Sequence, residues 1–566
     1  MRLADLGRNP LTDAEAVHAL TAASTTPNAS PFWGVDSAAT PASASYYIFT
    51  TMIFQLFGAS DVAARIVSAL AGIILVLSPL ILRTRIGTAR SLIAVFMLTL
   101  TTSGWTIART AGGSALTTAG LAVFVFLAWS SGSSNDKRVR LLLAAGALGF
   151  AFASGPMVIQ GLFGLLAAFC LSRLLAFRYL KPFEEFERLI AVRSGLWISL
   201  AVMLLVASGV GLYWTGLAGL GESITEWLQG WTQPGLHSAV AYVVMLVIYE
   251  PLFVVMGLVG AVLAWWRKDS LGQAASLWAL GSLLSGLVYP ARGAADLILV
   301  VLPLTLLVAY TVLILIERIA RRGIGLELVG LASVLLLLTS SAWISLVGYA
   351  NGYILEYTPT DPGLILLVFS ALIIMAVSLL LFFGLGWSWD VVTDALGITA
   401  TLVLTAITLS AAWRLNFTSL AMGAEELWRP EATTNGMRLL TDTIDTASLA
   451  HSGRTDEIAV DVQSEINPAL AWALRAYNRG GDEYNFLVDP SPVVLALESD
   501  FAPNLLTDYM GQEMALKEWR DWDGSLPPNF LRWLVLHAAP TEFERWIIWV
   551  RMDIATLGDV GLSDFE

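Results

Sequence analysis

Long apolar runs dominate the chain between residues 62 and 413, and polar residues gather in short clusters between them. A helix needs about 20 mostly apolar residues to cross a bilayer, and roughly twelve runs meet or approach that length. They lie near residues 62–82, 91–107, 114–129, 141–154, 157–171, 195–214, 238–266, 271–288, 294–316, 326–347, 363–383 and 391–413. The fourth and fifth are short enough to read as one re-entrant pair. Ahead of the first run, residues 46–57 are apolar and aromatic but too short to span. Their aromatics predict a helix lying in the membrane interface and closed by Gly58; Pro31-Phe32-Trp33-Gly34 lies between the acidic run and this stretch. The pattern is that of a mostly α, polytopic membrane protein.

Beyond Arg414 the pattern changes to short mixed elements. Residues 458–462, 486–488, 493–497 and 531–536 read as strands. Asn467-Pro468 reads as an N-cap followed by proline in the first helical turn, with Gly480 near that helix's end. Thr541-Glu542-Phe543-Glu544 has the spacing of a capping box and predicts a final helix. Three regions follow: 1–60, a first extracytoplasmic loop with an acidic motif and the interfacial helix; 61–414, the spans; and 415–566, a small extracytoplasmic α/β domain. The last has no phosphate loop, nucleophile elbow or metal motif, so it reads as a lid or recognition domain.

Composition sharpens the class. The 566 residues are 56% hydrophobic and only 14% charged, where soluble domains run near a quarter charged. The net charge of −13 argues against a nucleic-acid partner, which needs a basic face. The single cysteine, Cys170, and four scattered histidines offer no ligand spacing, so no metal site is expected.

Lysine and arginine set the orientation. Alternate loops hold Arg83, Arg85 and Arg90; Lys137, Arg138 and Arg140; Arg173 to Arg193; Arg267 and Lys268; and Arg318, Arg321 and Arg322. The intervening loops carry acids, such as Glu222, Glu226, Glu356 and Asp361, and almost no basic residues. The basic loops are therefore assigned to the cytoplasm, and both the amino-terminal segment and the part after Arg414 to the outside. An outside amino terminus needs translocation, and Met1-Arg2-Leu3-Ala4-Asp5-Leu6 reads as the tail of a helix. A further span upstream is expected on that ground.

Several strings resemble one family. Pro10-Leu11-Thr12-Asp13-Ala14-Glu15-Ala16 precedes Tyr46-Tyr47 and Leu56-Phe57-Gly58-Ala59-Ser60; then comes Ala64-Arg65-Ile66-Val67-Ser68-Ala69-Leu70-Ala71-Gly72. Ile248-Tyr249-Glu250-Pro251-Leu252 and Val288-Tyr289-Pro290-Ala291-Arg292 continue the likeness. The chain resembles the GT-C glycosyltransferases of the protein O-mannosyltransferase and aminoarabinose-transferase type, and within them the flippase-activity-associated branch. The resemblance implies transfer of a sugar from a polyprenyl-phosphate donor to a protein, glycan or lipid acceptor on the outer face, with no other cofactor. It also implies an adjacent Asp-Glu pair in the first outer loop. Here an ungapped match puts Ala14 where the family has Asp, with Asp13 one place early and Glu15 on the Glu.

Such a reaction needs a carboxylate to take the acceptor's proton and cations to neutralise the departing phosphate. Asp13 and Glu15 are the candidate bases, although Thr12 to Glu15 also fits a capping box. Arg109 and Arg292, at the outer ends of the second and eighth long runs, are candidate phosphate ligands, and each also suits a snorkelling role. Glu250 within a span and Tyr289 beside Arg292 complete the candidate donor site, with Pro251 making a structural kink the other reading of Glu250. His18, three residues after Glu15 and able to share its helix face, reads as a polar surface or interface residue, with a proton shuttle as the other reading. Asp13, Glu15, Arg109 and Arg292 are expected to converge on one outer cavity. The rival reading is a non-catalytic GT-C-like membrane protein that assists lipid-linked sugar export or acts as a scaffold.

Overall fold

Every one of the twelve apolar runs is helical in the computed structural model, which describes residues 3–24, 42–130, 134–174, 182, 193–214, 216–351, 362–418, 423–479, 490–498, 505 and 507–555. Residues 31–34, Gly480 and the expected strand at 486–488 lie outside them, and the helix expected to run toward Gly480 ends at Ala473. Among the described residues seven helices are long and apolar enough to cross a membrane, or nine if each of two bent pairs is one span. Ser114–Trp129 and Ser194–Ala207 are apolar but shorter. Length and composition thus mark seven to nine spans among the described residues, beside the expectation of about twelve. The fourth and fifth runs form separate helices, Ser134–Phe152 and Met157–Leu174, of 19 and 18 residues.

Breaks fall in the second and seventh runs. Thr88–Leu100 and Thr102–Arg109 meet at 62°, and Ala239–Tyr249 meets Pro251–Trp266 at 89°. Pro251 has no N–H to continue the first helix and sits at the start of the second, where none is needed. Where helices meet inside the bundle, small residues let their backbones approach. A Cβ on Gly281 would lie 2.3 Å from the Gly164 carbonyl oxygen, which explains the close packing of Ser270–Val288 on Met157–Leu174. Trp129 and Trp278 meet edge to face at 5.5 Å, both fully buried. Gly363–Gly386, by contrast, buries none of its most apolar stretch. That is the surface a lipid solvent requires.

Two helices precede the bundle: α1 (Asp13–Ala23) and α2 (Ala44–Phe57). Helix α2 ends as the sequence predicts, with Gly58 at φ +82° donating its N–H to Phe54 O at 2.9 Å. Helix α3 (Asp61–Leu77) starts the first span and packs against both α2 and the Ser114–Trp129 helix.

The carboxy-terminal part holds a six-stranded mixed sheet ordered β1-β5-β6-β4-β2-β3. The strands are β1 (Glu431–Thr433), β2 (Ala459–Val462), β3 (Asn478–Arg479), β4 (Val493–Leu497), β5 (Tyr509–Arg520) and β6 (Thr541–Arg551). Asn467 caps the short helix Pro468–Ala473 as expected, its side chain accepting from Leu470 N. Two expectations are corrected. Residues 531–536 belong to the helix Phe530–Leu536, whose Trp533 is fully buried and donates to Glu425 O at 2.8 Å. A six-residue apolar run carries no period that separates strand from helix. The expected last helix at Thr541 is strand β6, since Trp546, Ile548 and Val550 alternate inward and pair with β5 and β4. That period-two burial outweighs the local capping-box spacing.

This sheet region sits on the amino-terminal segment. Thr433 Oγ1 donates to Leu11 O at 2.9 Å, Trp472 Nε1 to Asp61 Oδ1 at 2.7 Å, and Arg475 Nη2 to Ala59 O at 2.9 Å. The result is a mostly α membrane bundle carrying a small sheet domain.

Candidate functional site

A cavity of about 500 Å³ opens where three stretches meet: the start of α1, the turn after Arg109, and the chain entering β1. Thr12 starts α1 with a complete capping box. Its Oγ1 accepts from Glu15 N, and the Glu15 carboxylate accepts from Thr12 N at 3.1 Å. Capping places Asp13 and Glu15 in the first turn, facing the cavity.

Glu15 is the better held of the two. Its Oε1 accepts from Arg65 Nε at 2.8 Å and from Ala111 N at 2.8 Å; Oε2 accepts from Arg65 Nη2 at 2.7 Å. Both side chains are buried, at 4% and 6% exposure. Burial alone would raise the Glu15 carboxyl, but the charge and hydrogen bonds of Arg65 hold it below its ordinary value. A carboxylate with both oxygens committed shapes the site; it anchors the 109–113 turn to α1.

Asp13 is more open. Oδ1 accepts from Ala469 N at 3.1 Å, and Oδ2 pairs with Lys517 Nζ at 2.7 Å, leaving the side chain 23% exposed. The exposed Ala14 between them also lines the cavity.

Arg109 lines the same cavity, donating from Nη2 to Asp5 O at 3.0 Å and lying 4.5 Å over the Phe417 ring. Arg292 does not line it. Its guanidinium is turned onto the carbonyls of Gly286, Leu287 and His237 at 2.9, 3.0 and 3.2 Å, in a smaller neighbouring cavity. Three of the four residues expected to converge therefore do so. Tyr289 is also elsewhere: its hydroxyl donates to Trp227 O at 3.1 Å and its ring stacks on Trp227. Glu250 is fully buried at the 89° break, where Oε1 accepts from Ser103 N and Oγ at 2.7 and 2.6 Å, away from the cavity. This arrangement suits the kink.

Sequence reasoning missed Arg65, Arg429 and Lys517, all of which line the cavity. An arginine within an apolar run was the available signal for Arg65. Arg429 and Lys517 come from the carboxy-terminal part, and nothing local marks them. Burial holds the Arg429 guanidinium below its usual value, against the pull of Glu15 and with Arg65 adding to the effect.

His18 is not a surface residue. Its half-buried ring meets Tyr46 edge to face at 5.7 Å, lines the cavity, and seals Nδ1 from solvent without a partner. Burial pushes the imidazole below its ordinary value, opposed by Glu15. A histidine depressed in the folded state contributes stability that is full above its unfolded value of about 6.5 and is lost as pH falls through the lower folded value. His18→Gln is expected to flatten that loss, read from melting temperatures across pH 7.5 to about 5.

No family model matches the chain, and no curated protein matches it. Among solved structures it is similar to ArnT from Cupriavidus metallidurans bound to undecaprenyl phosphate. The TM-score is 0.54 at 14% identity, over 98% of this chain and 96% of that one. The apo state of the same enzyme gives 0.51 at 14% identity, over 88% and 90%. At that identity the likeness shows the fold alone: a multi-pass helical membrane bundle carrying a small carboxy-terminal sheet domain, as in ArnT.

Proposed function

We propose that the chain transfers a sugar from a polyprenyl-phosphate donor to an acceptor on the outer face of the membrane. One observation carries the reading: a single cavity, at the junction of the membrane bundle and the sheet, brings carboxylates opposite arginines. Asp13 takes the acceptor proton, and Arg109 with Arg429 neutralises the phosphate as it leaves, guanidinium being suited to paired bonds with phosphate oxygens. Glu15 holds the turn in place. ArnT, the solved neighbour, is bound to undecaprenyl phosphate, which supports a lipid phosphate as the shared ligand chemistry. The distribution of lysine and arginine between loops supports an extracytoplasmic cavity and sheet domain. The strings at 56–72 support placement near the flippase-activity-associated branch, with regions 1–60, 61–414 and 415–566 as its parts.

A second reading has an observation of its own. All four oxygens of Asp13 and Glu15 already accept hydrogen bonds, as they would in a non-catalytic protein that assists lipid-linked sugar export. Two measurements separate the readings. Purified protein in lipid is given undecaprenyl-phosphate-linked pentoses and hexoses with a membrane extract as acceptor source, and release of undecaprenyl phosphate is followed. Turnover supports transfer; none across the panel favours the second reading. Binding of undecaprenyl phosphate itself is expected to weaken about tenfold in Arg429→Gln, the scale of one hydrogen bond to a charged group. Unchanged affinity would remove Arg429 from the phosphate site.

A further inference from the structure

We propose that Lys517, on the carboxy-terminal sheet, is a positioning residue that aims Asp13 at the acceptor. This rests on the reading of Asp13 as the base. The first observation is a β-bulge. The β5–β6 register runs Met514↔Trp546 and Ala515↔Arg545, then jumps to Lys517↔Glu544, leaving Leu516 without a ladder partner and fully buried. Bulges bend a strand and re-aim a side chain, and they gather next to active sites. Beside this register shift Met514, Leu516 and Glu518 alternate inward, and Lys517, between the last two, lines the cavity.

The second observation is what Lys517 touches. Its ammonium lies 2.7 Å from Asp13 Oδ2 and 2.9 Å from Glu431 Oε2. Burial would lower its proton affinity, but the two carboxylates outweigh burial and keep it charged. The third is the other end of Asp13, whose Oδ1 accepts from Ala469 N at 3.1 Å. Both oxygens are thus gripped by elements of the carboxy-terminal part, although Asp13 itself belongs to α1.

Each carboxylate oxygen has two lone-pair sites, so one contact apiece fixes the group's plane and leaves acceptor sites open. In the step itself the acceptor O–H gives its proton to Asp13, and the acceptor oxygen bonds to the anomeric carbon. The bond from that carbon to the phosphate oxygen breaks, its electron pair leaving with the polyprenyl phosphate. Lys517 neither gains nor loses a proton. It holds the base still, and misplacing a reacting group by about 1 Å costs on the order of a hundredfold in rate.

A plain tether between sheet and bundle would use the same ion pair, so the test must read more than stability. Full-length wild type, Asp13→Asn, Lys517→Met, Lys517→Arg and the Asp13→Asn/Lys517→Met double variant are compared in lipid. Release of undecaprenyl phosphate from the linked pentoses and hexoses gives kcat and donor KM, with a thermal melt as the folding control. Lys517→Met is expected to lower kcat at least tenfold with donor KM within twofold. Lys517→Arg recovers a third or more of that loss, and Lys517→Met costs nothing further once Asp13 is Asn. Should Lys517→Met not fold, Lys517→Gln is read in the same way.

Three results overturn the proposal while leaving transfer intact. They are a raised KM with kcat unchanged, a full additional loss in the double variant, and a lowered melting temperature with wild-type turnover. Absence of turnover in wild type overturns the transfer reading, and this role with it.

Discussion

Arg65→Met is expected to leave little or no folded protein, a loss of about 3–5 kcal/mol as for other buried ion pairs deprived of one partner. The guanidinium has five N–H donors, and every one is used. Nε and Nη2 grip the two oxygens of Glu15, Nη1 donates to Leu6 O at 2.8 Å and Asn9 O at 2.6 Å, and Nη2 also reaches Pro10 O at 3.1 Å. The side chain is 6% exposed. Methionine would fill the space but strand a buried carboxylate and three carbonyls. Lysine would keep the charge and lose the fork, so Arg65→Lys is not conservative here. A thermal melt in detergent and lipid reads the effect, and a wild-type melting temperature in Arg65→Met would refute it. The pH dependence has a fixed sign. Because Glu15 is held below its ordinary 4.5, its contribution is present above that value and is lost only as pH falls through the lower folded value.

Asp13→Asn is expected to keep the fold and lose about 10²- to 10⁴-fold in turnover, the range typical of a general base. The stability cost should be small. Asp13 and Lys517 are partly exposed, at 23% and 20%, and such pairs contribute on the order of 1 kcal/mol or less. Asparagine can still accept from Ala469 N, so the first turn of α1 keeps its contact with the Pro468–Ala473 helix. The comparison is Glu15→Gln. It weakens a buried ion pair, and its damage should appear first in the melt. Turnover of Asp13→Asn within threefold of wild type would remove Asp13 as the proton acceptor.

The contrast between these two neighbours shows how far sequence reading reaches. The helical runs, the cap at Gly58 and the capping box at Thr12 are local, set by residues within a turn or two, and the chain displays them directly. The convergence of Asp13, Glu15 and Arg109 follows from placing two helix ends, the start of α1 and the end of Thr102–Arg109, on the same side of the bundle. Lys517 lies 504 positions from Asp13, and no local spacing rule relates residues at that distance. The same limit hid the destination of Arg292: a guanidinium at the outer end of a helix can face a cavity or fold back onto the last carbonyls, as this one does. Strand β5 escaped notice because only three of its twelve positions, Met514, Leu516 and Glu518, are buried, and one of those is an acid.

The partners of the two acids are also separated in time. Arg65 follows Glu15 by 50 residues, so a growing chain possesses that clamp as soon as the start of the Asp61–Ile86 span is made. The lysine that meets Asp13 leaves the ribosome only after nearly the whole bundle has been synthesised. A chain arrested anywhere in the membrane region therefore carries an anchored Glu15 beside an Asp13 that nothing from the sheet has yet engaged. Assembly of the cavity coincides with completion of the sheet, and an unfinished copy in the membrane has no finished cavity around Asp13.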